Sequence, residues 1–205
     1  TSYNSSSIRM KLNYYTHLEC SSCNEKHDSN KIQTVCKKCG KPLFARYELE
    51  MAKDSITRRE LASREASMWK YWELLPVKDK KNIVSLGEGW TPLTRVKKLG
   101  EEIKLSNLYV KDEGIIPTGS FKARGLSMAI SKAKELGITR VALPSAGNAA
   151  GAMSAYGARA GMEVFVFMPK DAPKVNMVEC EVVGAKVTLV DGLISDAGKL
   201  VKEGI

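Results

Sequence analysis

The stretch that decides the fold is VALPSAGNAAGAMSAYGARAGMEVFVF, residues 141–167. It opens with a short apolar run, residues 141–143, and closes with a second one, residues 164–167. Between them lies an alanine-rich segment, residues 148–160, that ends at Gly161. Short apolar runs on either side of a glycine-terminated helical segment are typical of parallel strands joined by a crossover helix. We therefore predict a strand–helix–strand unit here.

The same alternation continues on both sides of this unit. Before it, the sequence predicts a strand over 108–110 and a helix over 120–136. After it, the sequence predicts a helix over 174–183 and a strand over 187–190. Each predicted helix is followed by a glycine, which favours a stop. The pattern predicts an α/β fold, an open parallel sheet with helices on both faces and right-handed crossovers.

The region before this alternation is less regular. Residues 57–60, TRRE, match a helix capping box, and Leu61, Met68, Trp72 and Leu75 follow at helical spacing. We predict one amphipathic helix that ends before Pro76. The segment GEGWTPL, residues 87–93, is rich in turn residues and is predicted to contain no helix.

The composition is that of an ordinary soluble globular protein. The chain has 205 residues, of which 43% are hydrophobic and 27% charged, and its net charge is +9. No apolar run approaches the roughly eighteen residues that a membrane span needs. The basic residues are scattered, which favours a solvated surface over a nucleic-acid site. We expect a cytoplasmic protein, with a disordered tail over residues 1–14.

Four of the five cysteines form two pairs, Cys20–Cys23 and Cys36–Cys39, whereas Cys180 stands alone. Two CxxC turns supply the four thiolates of a tetrahedral zinc site, and paired spacing of this kind fits a reducing compartment. We predict a zinc-ribbon-like segment over residues 15–48, in which the metal replaces a hydrophobic core. His27 lies outside both turns and is expected to be exposed. The alternative is a relic ribbon with unligated thiols.

Two loops lead into predicted helices with similar sequences: PTGSFKARG, residues 117–125, and PSAGNAA, residues 144–150. Glycine and serine before a helix leave backbone N–H groups free for an anion, and parallel sheets bind ligands at this edge. Lys122 lies one step into its helix, where a partly dry position near the positive dipole end lowers a lysine pKa. A neutral amine forms Schiff bases with carbonyl groups such as the aldehyde of pyridoxal phosphate. The alternative is a pair of capped turns and a surface lysine.

These motifs resemble a known family. PTGSFKARG followed by PSAGNAAGA resembles the fold type II pyridoxal-phosphate enzymes, and among them the threonine synthases most closely. The segments LECSSC, GKPL and GEGWTPL are similar to the N-terminal part of many threonine synthases. The resemblance covers nearly the whole chain from about residue 18.

The resemblance implies roles for several residues. Lys122 would be the catalytic residue that carries the cofactor, and Asn148 would hydrogen-bond the cofactor's ring hydroxyl. Thr118 and Ser120 would lie near the cofactor and could serve a second anion, and Arg124 would be a structural ion-pair partner. The substrate carboxylate would bind a loop that contains Ser145, Ala146, Gly147 and Ala149.

The implied reaction converts O-phosphohomoserine and water into threonine and phosphate. The substrate would therefore be a small amino acid, and we expect the enzyme to be a homo-oligomer. Residues 49–205 would be the N-terminal part of the catalytic core, including its small α/β domain. The phosphate cradle would lie in a C-terminal half, so we expect these 205 residues to be an inactive fragment.

Two alternatives stay open. Many threonine synthases read SFKDRG, whereas Ala123 stands at the variable position here, so a threonine or serine dehydratase or a cysteate-synthase-like enzyme is the first alternative. The second is a zinc-ribbon module that binds nucleic acid or protein. Only Phe44 and Tyr47 lie at the end of the ribbon, and few aromatic residues argue against base stacking.

Overall fold

The computed structural model describes residues 12–204. Residues 1–11 of the predicted disordered tail lie outside this range. Asn13, near the end of that predicted tail, is bonded to the rest of the molecule: its side-chain amide donates to the carbonyl oxygens of Trp72, Leu75 and Val77 at 2.7–3.1 Å. Among the described residues, no helix has both the length and the apolar character needed to cross a membrane.

Eight strands and seven α-helices make up the described chain. The strands are β1 (Tyr15–Cys20), β2 (Lys26–His27), β3 (Leu43–Tyr47), β4 (Leu93–Arg95), β5 (Tyr109–Lys111), β6 (Arg140–Pro144), β7 (Glu163–Pro169) and β8 (Lys186–Val190). The helices are α1 (Leu49–Ser55), α2 (Arg58–Ser63), α3 (Lys97–Glu102), α4 (Lys122–Glu135), α5 (Asn148–Ala160), α6 (Lys174–Glu181) and α7 (Ile194–Lys202). Two 3₁₀ helices cover Met68–Leu74 and Lys80–Asn82.

The cysteine segment folds as a small antiparallel sheet in the order β2-β1-β3. Cys20 ends β1, and Cys36 and Cys39 lie in the turn that precedes β3. The expectation that His27 is exposed was wrong: it pairs with Leu18 across the sheet and is buried. The short strands hold the two CxxC turns together.

The prediction of one continuous helix from the capping box at residues 57–60 to the residue before Pro76 was also wrong. The chain forms α2, breaks over residues 64–67, and continues as a 3₁₀ helix. At the break, Arg64 turns inward and its guanidinium binds the carboxylate of Glu73 at 2.5 and 2.7 Å. The hydroxyl of Ser67 then accepts the N–H of Trp69, which caps the second segment. The Arg64–Glu73 ion pair and the Ser67 cap therefore divide a segment whose apolar spacing predicted one continuous helix.

The predicted strand at residues 108–110 exists, shifted by one residue, but it does not belong to the parallel sheet. It is β5, and it pairs antiparallel with β4 in a separate two-stranded sheet. This corrects the prediction that it begins the parallel sheet.

The parallel sheet has the order β6-β7-β8, and helices cover both of its faces. Val164, Val166 and Met168 of β7 face the core formed with α5 and α6. The alternate residues Phe165 and Phe167 pack against α7 on the other face. Gly157 of α5 permits close packing, because a Cβ there would lie 2.2 Å from Val164 Cγ2. The predicted α/β fold is confirmed.

Helix α4 packs along α5, and a short connection joins each of them to β6. The chain therefore runs down α4, up β6 and down α5. Both helix N-termini lie at the carboxyl edge of the sheet, which is the edge where α/β proteins bind ligands.

Candidate functional site

Lys122 is the first residue of α4 and is half-buried. Its Nζ lies 4.5 Å from the centroid of the Phe121 ring, and the Phe121 side chain is itself 59% exposed. Within residues 12–204, no ion pair or hydrogen bond involves this amine. The amine is therefore not committed to a structural ion pair, as a nucleophile requires.

The turn before Lys122 holds several polar groups without partners. Thr118 and Gly119 are both left-handed, with φ of +73° and +64°. Thr118 Oγ1 and Ser120 Oγ are buried, and no group in the described part of the chain bonds to either. Burying a hydroxyl without a partner costs roughly 1–3 kcal/mol, and a left-handed β-branched residue adds a similar strain. Unpaired buried groups of this kind call for a missing partner, such as a ligand, an ion or a water molecule.

The second predicted loop precedes α5 and also leaves backbone donors free. Gly147 is its N-cap and offers no side chain to the first turn. Ser145 Oγ accepts the Gly147 N–H at 3.4 Å, and the Ala146 carbonyl accepts from Asn176 Nδ2 at 2.6 Å. In the described structure, the N–H groups of Asn148 and Ala149 have no protein acceptor, and the Asn148 side chain is exposed.

These two loops occupy the first turns of neighbouring helices, so the structure places Lys122 and the 145–149 loop at one edge of the sheet. Both N-termini carry the positive end of a helix dipole together with unpaired N–H groups. The arrangement presents unpaired backbone N–H groups at the first turns of two neighbouring helices.

Arg124 forms the predicted structural ion pair, with Glu113. The guanidinium binds the carboxylate through two bonds, 2.6 Å from Nε and 2.8 Å from Nη2. Thr91 Oγ1 donates to the same carboxylate at 2.5 Å. The hydrogen bond from Arg124, followed by that from Thr91, lowers the pKa of Glu113 to about 2. This confirms the prediction for Arg124.

Glu88 is a buried carboxylate that sequence reasoning missed. It has no exposed surface. Its carboxylate accepts from Trp69 Nε1 at 2.7 Å, and the hydroxyls of Ser127 and Tyr156 each lie 2.6 Å away. Ser127 belongs to α4 and Tyr156 to α5, so one side chain ties both site-bearing helices to the GEGWTPL segment.

The ionisation of Glu88 depends on these donors. Burial acts to raise its pKa, but the hydrogen bonds from Ser127, Tyr156 and the Leu86 N–H outweigh burial and hold the pKa below its usual range. The only sequence signal was an acidic residue between two glycines in a turn-rich segment. Such residues are usually solvated, so its role could not be read from the pattern.

A cavity of about 470 Å³ opens beside the Arg124–Glu113 pair. Trp90 and Tyr71 contribute its aromatic walls, and Lys122 is not among its lining residues. Lys70 Nζ lies 3.8 Å from the centroid of the Trp90 ring. The cavity is therefore a feature of the GEGWTPL segment rather than of the lysine turn.

The four paired cysteines form a compact cluster. Their Sγ atoms all lie within 4.8 Å of one another, and the closest pairs are 3.4 and 3.6 Å apart. A tetrahedral zinc with bonds of about 2.3 Å needs sulfur–sulfur distances of about 3.8 Å. The N–H groups of Cys23 and Ser22 point at Cys20 Sγ and lower the pKa of that thiol to about 6. The cluster fits a metal ion.

Comparison with known proteins agrees with this geometry. The sequence profile described as "Pyridoxal-phosphate dependent enzyme" matches residues 84–204. A protein named threonine synthase from Methanocaldococcus jannaschii is 40% identical over 185 residues, which is 90% of this chain and 45% of that protein. Another, from Methanosarcina acetivorans, is 38% identical over 187 residues, 91% of this chain and 45% of that protein. The chain therefore spans a little under half the length of these relatives.

Solved structures share the fold. A pyridoxal 5'-phosphate-dependent aspartate racemase superposes with a TM-score of 0.50 and 30% identity, over 55% of this chain and 37% of the racemase. Threonine deaminase isoform 2 from Solanum lycopersicum superposes with a TM-score of 0.50 and 25% identity, over 55% of this chain and 32% of the deaminase.

Proposed function

Because this chain belongs to the pyridoxal-phosphate dependent enzyme family, we propose that the complete protein is a lyase that converts O-phosphohomoserine and water into threonine and phosphate. The observation that carries the proposal is the extent of the similarity to proteins named threonine synthase. It covers 90% of this chain, well beyond the residues that the family profile matches. The solved racemase and deaminase structures, by contrast, superpose on only 55% of this chain.

The residues at the sheet edge fit the cofactor. Two buried hydroxyls lack hydrogen-bond partners, and backbone N–H groups are unpaired at two helix N-termini. Among residues 12–204, no carboxylate is paired with the Lys122 amine. Pyridoxal phosphate supplies an electron sink that stabilises a carbanion at the substrate Cα. Lys122 would hold it covalently, and Asn148 would hydrogen-bond its ring hydroxyl.

The chain's own residues supply the remaining binding and proton transfer. We expect the Lys122 amine to remove the Cα proton and to act as successive base and acid. The N–H groups of the loop that contains Ser145, Ala146, Gly147 and Ala149 would orient the substrate carboxylate.

The cysteine cluster would hold one structural zinc ion through Cys20, Cys23, Cys36 and Cys39. The five cysteines are free thiols, which fits a reducing compartment. We propose that the complete enzyme acts in the cytoplasm as a homo-oligomer. The ribbon would support the catalytic core, since Lys78 Nζ of the core binds Ser29 Oγ at 3.0 Å and Asn30 Oδ1 at 2.9 Å.

A second candidate is a dehydratase that releases ammonia from threonine or serine. The structural similarity to threonine deaminase favours it, and so does Ala123 in the lysine motif. The two candidates differ in whether the site binds a second anion, the substrate phosphate.

The experiment that separates them uses the complete gene product with each compound in turn. We predict that phosphate and threonine form from O-phosphohomoserine, and that this activity dominates, because buried donors for a phosphate reject a substrate that lacks it. Coupled phosphate release and amino-acid analysis measure the products, and Lys122→Ala is the control without activity. Ammonia and 2-oxobutyrate from threonine as the dominant products would contradict the proposal.

A further inference from the structure

Glu88 is a charged side chain in the interior of the α/β core, where it has no exposed surface. Besides its contacts to Trp69, α4 and α5, its carboxylate accepts the N–H of Leu86 at 2.9 Å and the hydroxyl of Ser85 at 3.1 Å. Among the ion pairs of the described residues, none includes this carboxylate. Moving a carboxylate out of water is costly, and an apolar side chain would fill the same space without that cost. Packing alone therefore does not account for a carboxylate at this position.

The interface between α4 and α5 depends mainly on small and apolar side chains. Ala123 and Ile130 of α4 share one core cluster with Ala150 and Met153 of α5. Apolar contacts are non-directional, so they allow one helix to shift along the other. In the described chain, no side-chain hydrogen bond runs directly between the two helices, and Glu88 is the residue whose side chain contacts polar groups of both.

The two contacts of Glu88 fix one point of each helix. Ser127 is five residues after Lys122, which is about 7.5 Å along α4 at the helical rise. Tyr156 is eight residues after Asn148, or about 12 Å along α5. Both hydroxyl oxygens lie 2.6 Å from the carboxylate, and short hydrogen bonds to a charged group define a position more strictly than apolar packing does. Because each helix is rigid over this length, the contacts also define the distance between the two helix starts.

We propose that Glu88 is a positioning residue for the reaction. Its carboxylate, held between Ser127 and Tyr156, sets the distance between the Lys122 amine at the start of α4 and the loop at 145–149 at the start of α5. This rests on the proposed function, in which the amine removes a proton from a substrate whose carboxylate the loop holds. A misplacement of about 1 Å between reacting groups lowers a rate by on the order of a hundredfold, so a small shift of one helix is enough to matter.

The test cuts the two contacts separately, because Glu88→Ala would leave several buried donors unpaired and destabilise the core. Tyr156→Phe removes the contact to α5, and Ser127→Ala removes the contact to α4, while the rest of each side chain stays in place. Tyr109→Phe and Ser106→Ala are the matched controls, since each removes a hydroxyl from an exposed residue elsewhere. All variants are made in the complete, cofactor-loaded protein and compared well below their thermal unfolding temperatures.

Two readouts separate positioning from a purely structural role. Hydrogen–deuterium exchange by mass spectrometry needs no turnover, and we expect both single variants to exchange faster than wild type at residues 122–129 and 148–155 but not in the cysteine sheet. The kcat for O-phosphohomoserine should fall about tenfold or more, while the KM changes less and the cofactor absorbance stays that of wild type. The double variant should lose no more kcat than the more affected single variant, because cutting either contact breaks the same link.

An unchanged kcat in both single variants, losses that multiply in the double variant, or exchange that rises equally in the cysteine sheet would overturn the positioning role. The proposed function fails separately. If the wild type makes no threonine from O-phosphohomoserine, the exchange measurement still decides whether Glu88 fixes the two helix starts. If threonine is made while Tyr156→Phe keeps the kcat and the exchange of wild type, the reaction stands without this role for Glu88.

Discussion

Glu113 and Arg124 show how single residues fix the start of the lysine helix. Arg124 is two positions after Lys122, and its guanidinium is clamped by both oxygens of the Glu113 carboxylate. A bidentate pair restrains the helix start more strictly than a single contact, because two parallel bonds define an orientation. The motif's arginine thus positions the backbone that carries the lysine.

This pair makes stability depend on pH. The folded pKa of Glu113 is about 2, below its ordinary value of 4.5, so the pair stabilises the fold above pH 4.5 and its contribution is lost as the pH falls through about 2. We predict that Glu113→Gln lowers the free energy of unfolding at pH 7 by about 1 kcal/mol, a small value because solvent screens the partly exposed pair. Urea unfolding of the complete protein at several pH values measures the difference from wild type.

The difference should fall to a small fraction of its pH 7 value near pH 2, where about half of the folded wild-type carboxylate is protonated. Glu101→Gln, at an exposed glutamate of α3, should show no such convergence. A loss for Glu113→Gln that is the same at pH 2 as at pH 7 would show that packing, rather than charge, explains the contribution of Glu113.

At the scale of elements, local signals were enough for α5 and for the parallel strands but not for their neighbours. Helix α5 spans the residues that its alanine-rich composition and the following glycine predicted. By contrast, β5 pairs with β4 rather than with the parallel sheet. This pairing could not be predicted, because a short apolar run does not indicate which strand it pairs with. The break between α2 and the following 3₁₀ helix depends on Arg64 reaching Glu73, a contact that spacing alone does not reveal.

The site was predictable to a similar degree. The residue types in the lysine turn pointed to a Schiff-base lysine and an anion site, whereas spacing alone left a capped turn with a surface lysine as the alternative. The unpaired state of Thr118 and Ser120 required coordinates, since pairing is a property of the whole surroundings. The role of Glu88 could not be predicted from the sequence for the same reason. Its hydrogen-bond donors belong to Trp69, Ser127 and Tyr156, which are far apart in the sequence.

The cysteine sheet is the element whose stability we expect to depend on metal. Its strands are short, and its centre is the cluster of four Sγ atoms within 4.8 Å rather than a hydrophobic core. We predict one zinc ion per chain in the complete protein purified without chelator. Cys36→Ser should remove the metal and lower the melting temperature, because structural zinc contributes directly to folding.

Metal analysis by inductively coupled plasma spectrometry measures the zinc content. Cys180→Ala is the matched control, since this thiol is buried in the main core, apart from the cluster, and its removal should leave zinc in place. Zinc near zero in well-folded wild-type protein would contradict the prediction.

At the scale of the whole molecule, the chain has the fold of the type II pyridoxal-phosphate enzymes and spans a little under half the length of its relatives. The ribbon, the GEGWTPL segment and α5 all contact α4. Tyr15 of the ribbon lies under Lys132 of α4, at 5.3 Å from ring centroid to Nζ, and Glu88 contacts the middle of the same helix. One helix therefore connects the cysteine-bearing sheet to the lysine turn.

The central claim is that Lys122 carries the cofactor, and reduction with borohydride tests it most directly. The complete protein is reduced, digested and sequenced by tandem mass spectrometry, which locates any lysine that has become stably joined to a pyridoxyl group. We predict the label on the peptide that contains Lys122, and loss of the visible chromophore in Lys122→Ala. A label on a different lysine, or a chromophore that survives Lys122→Ala, would contradict the claim.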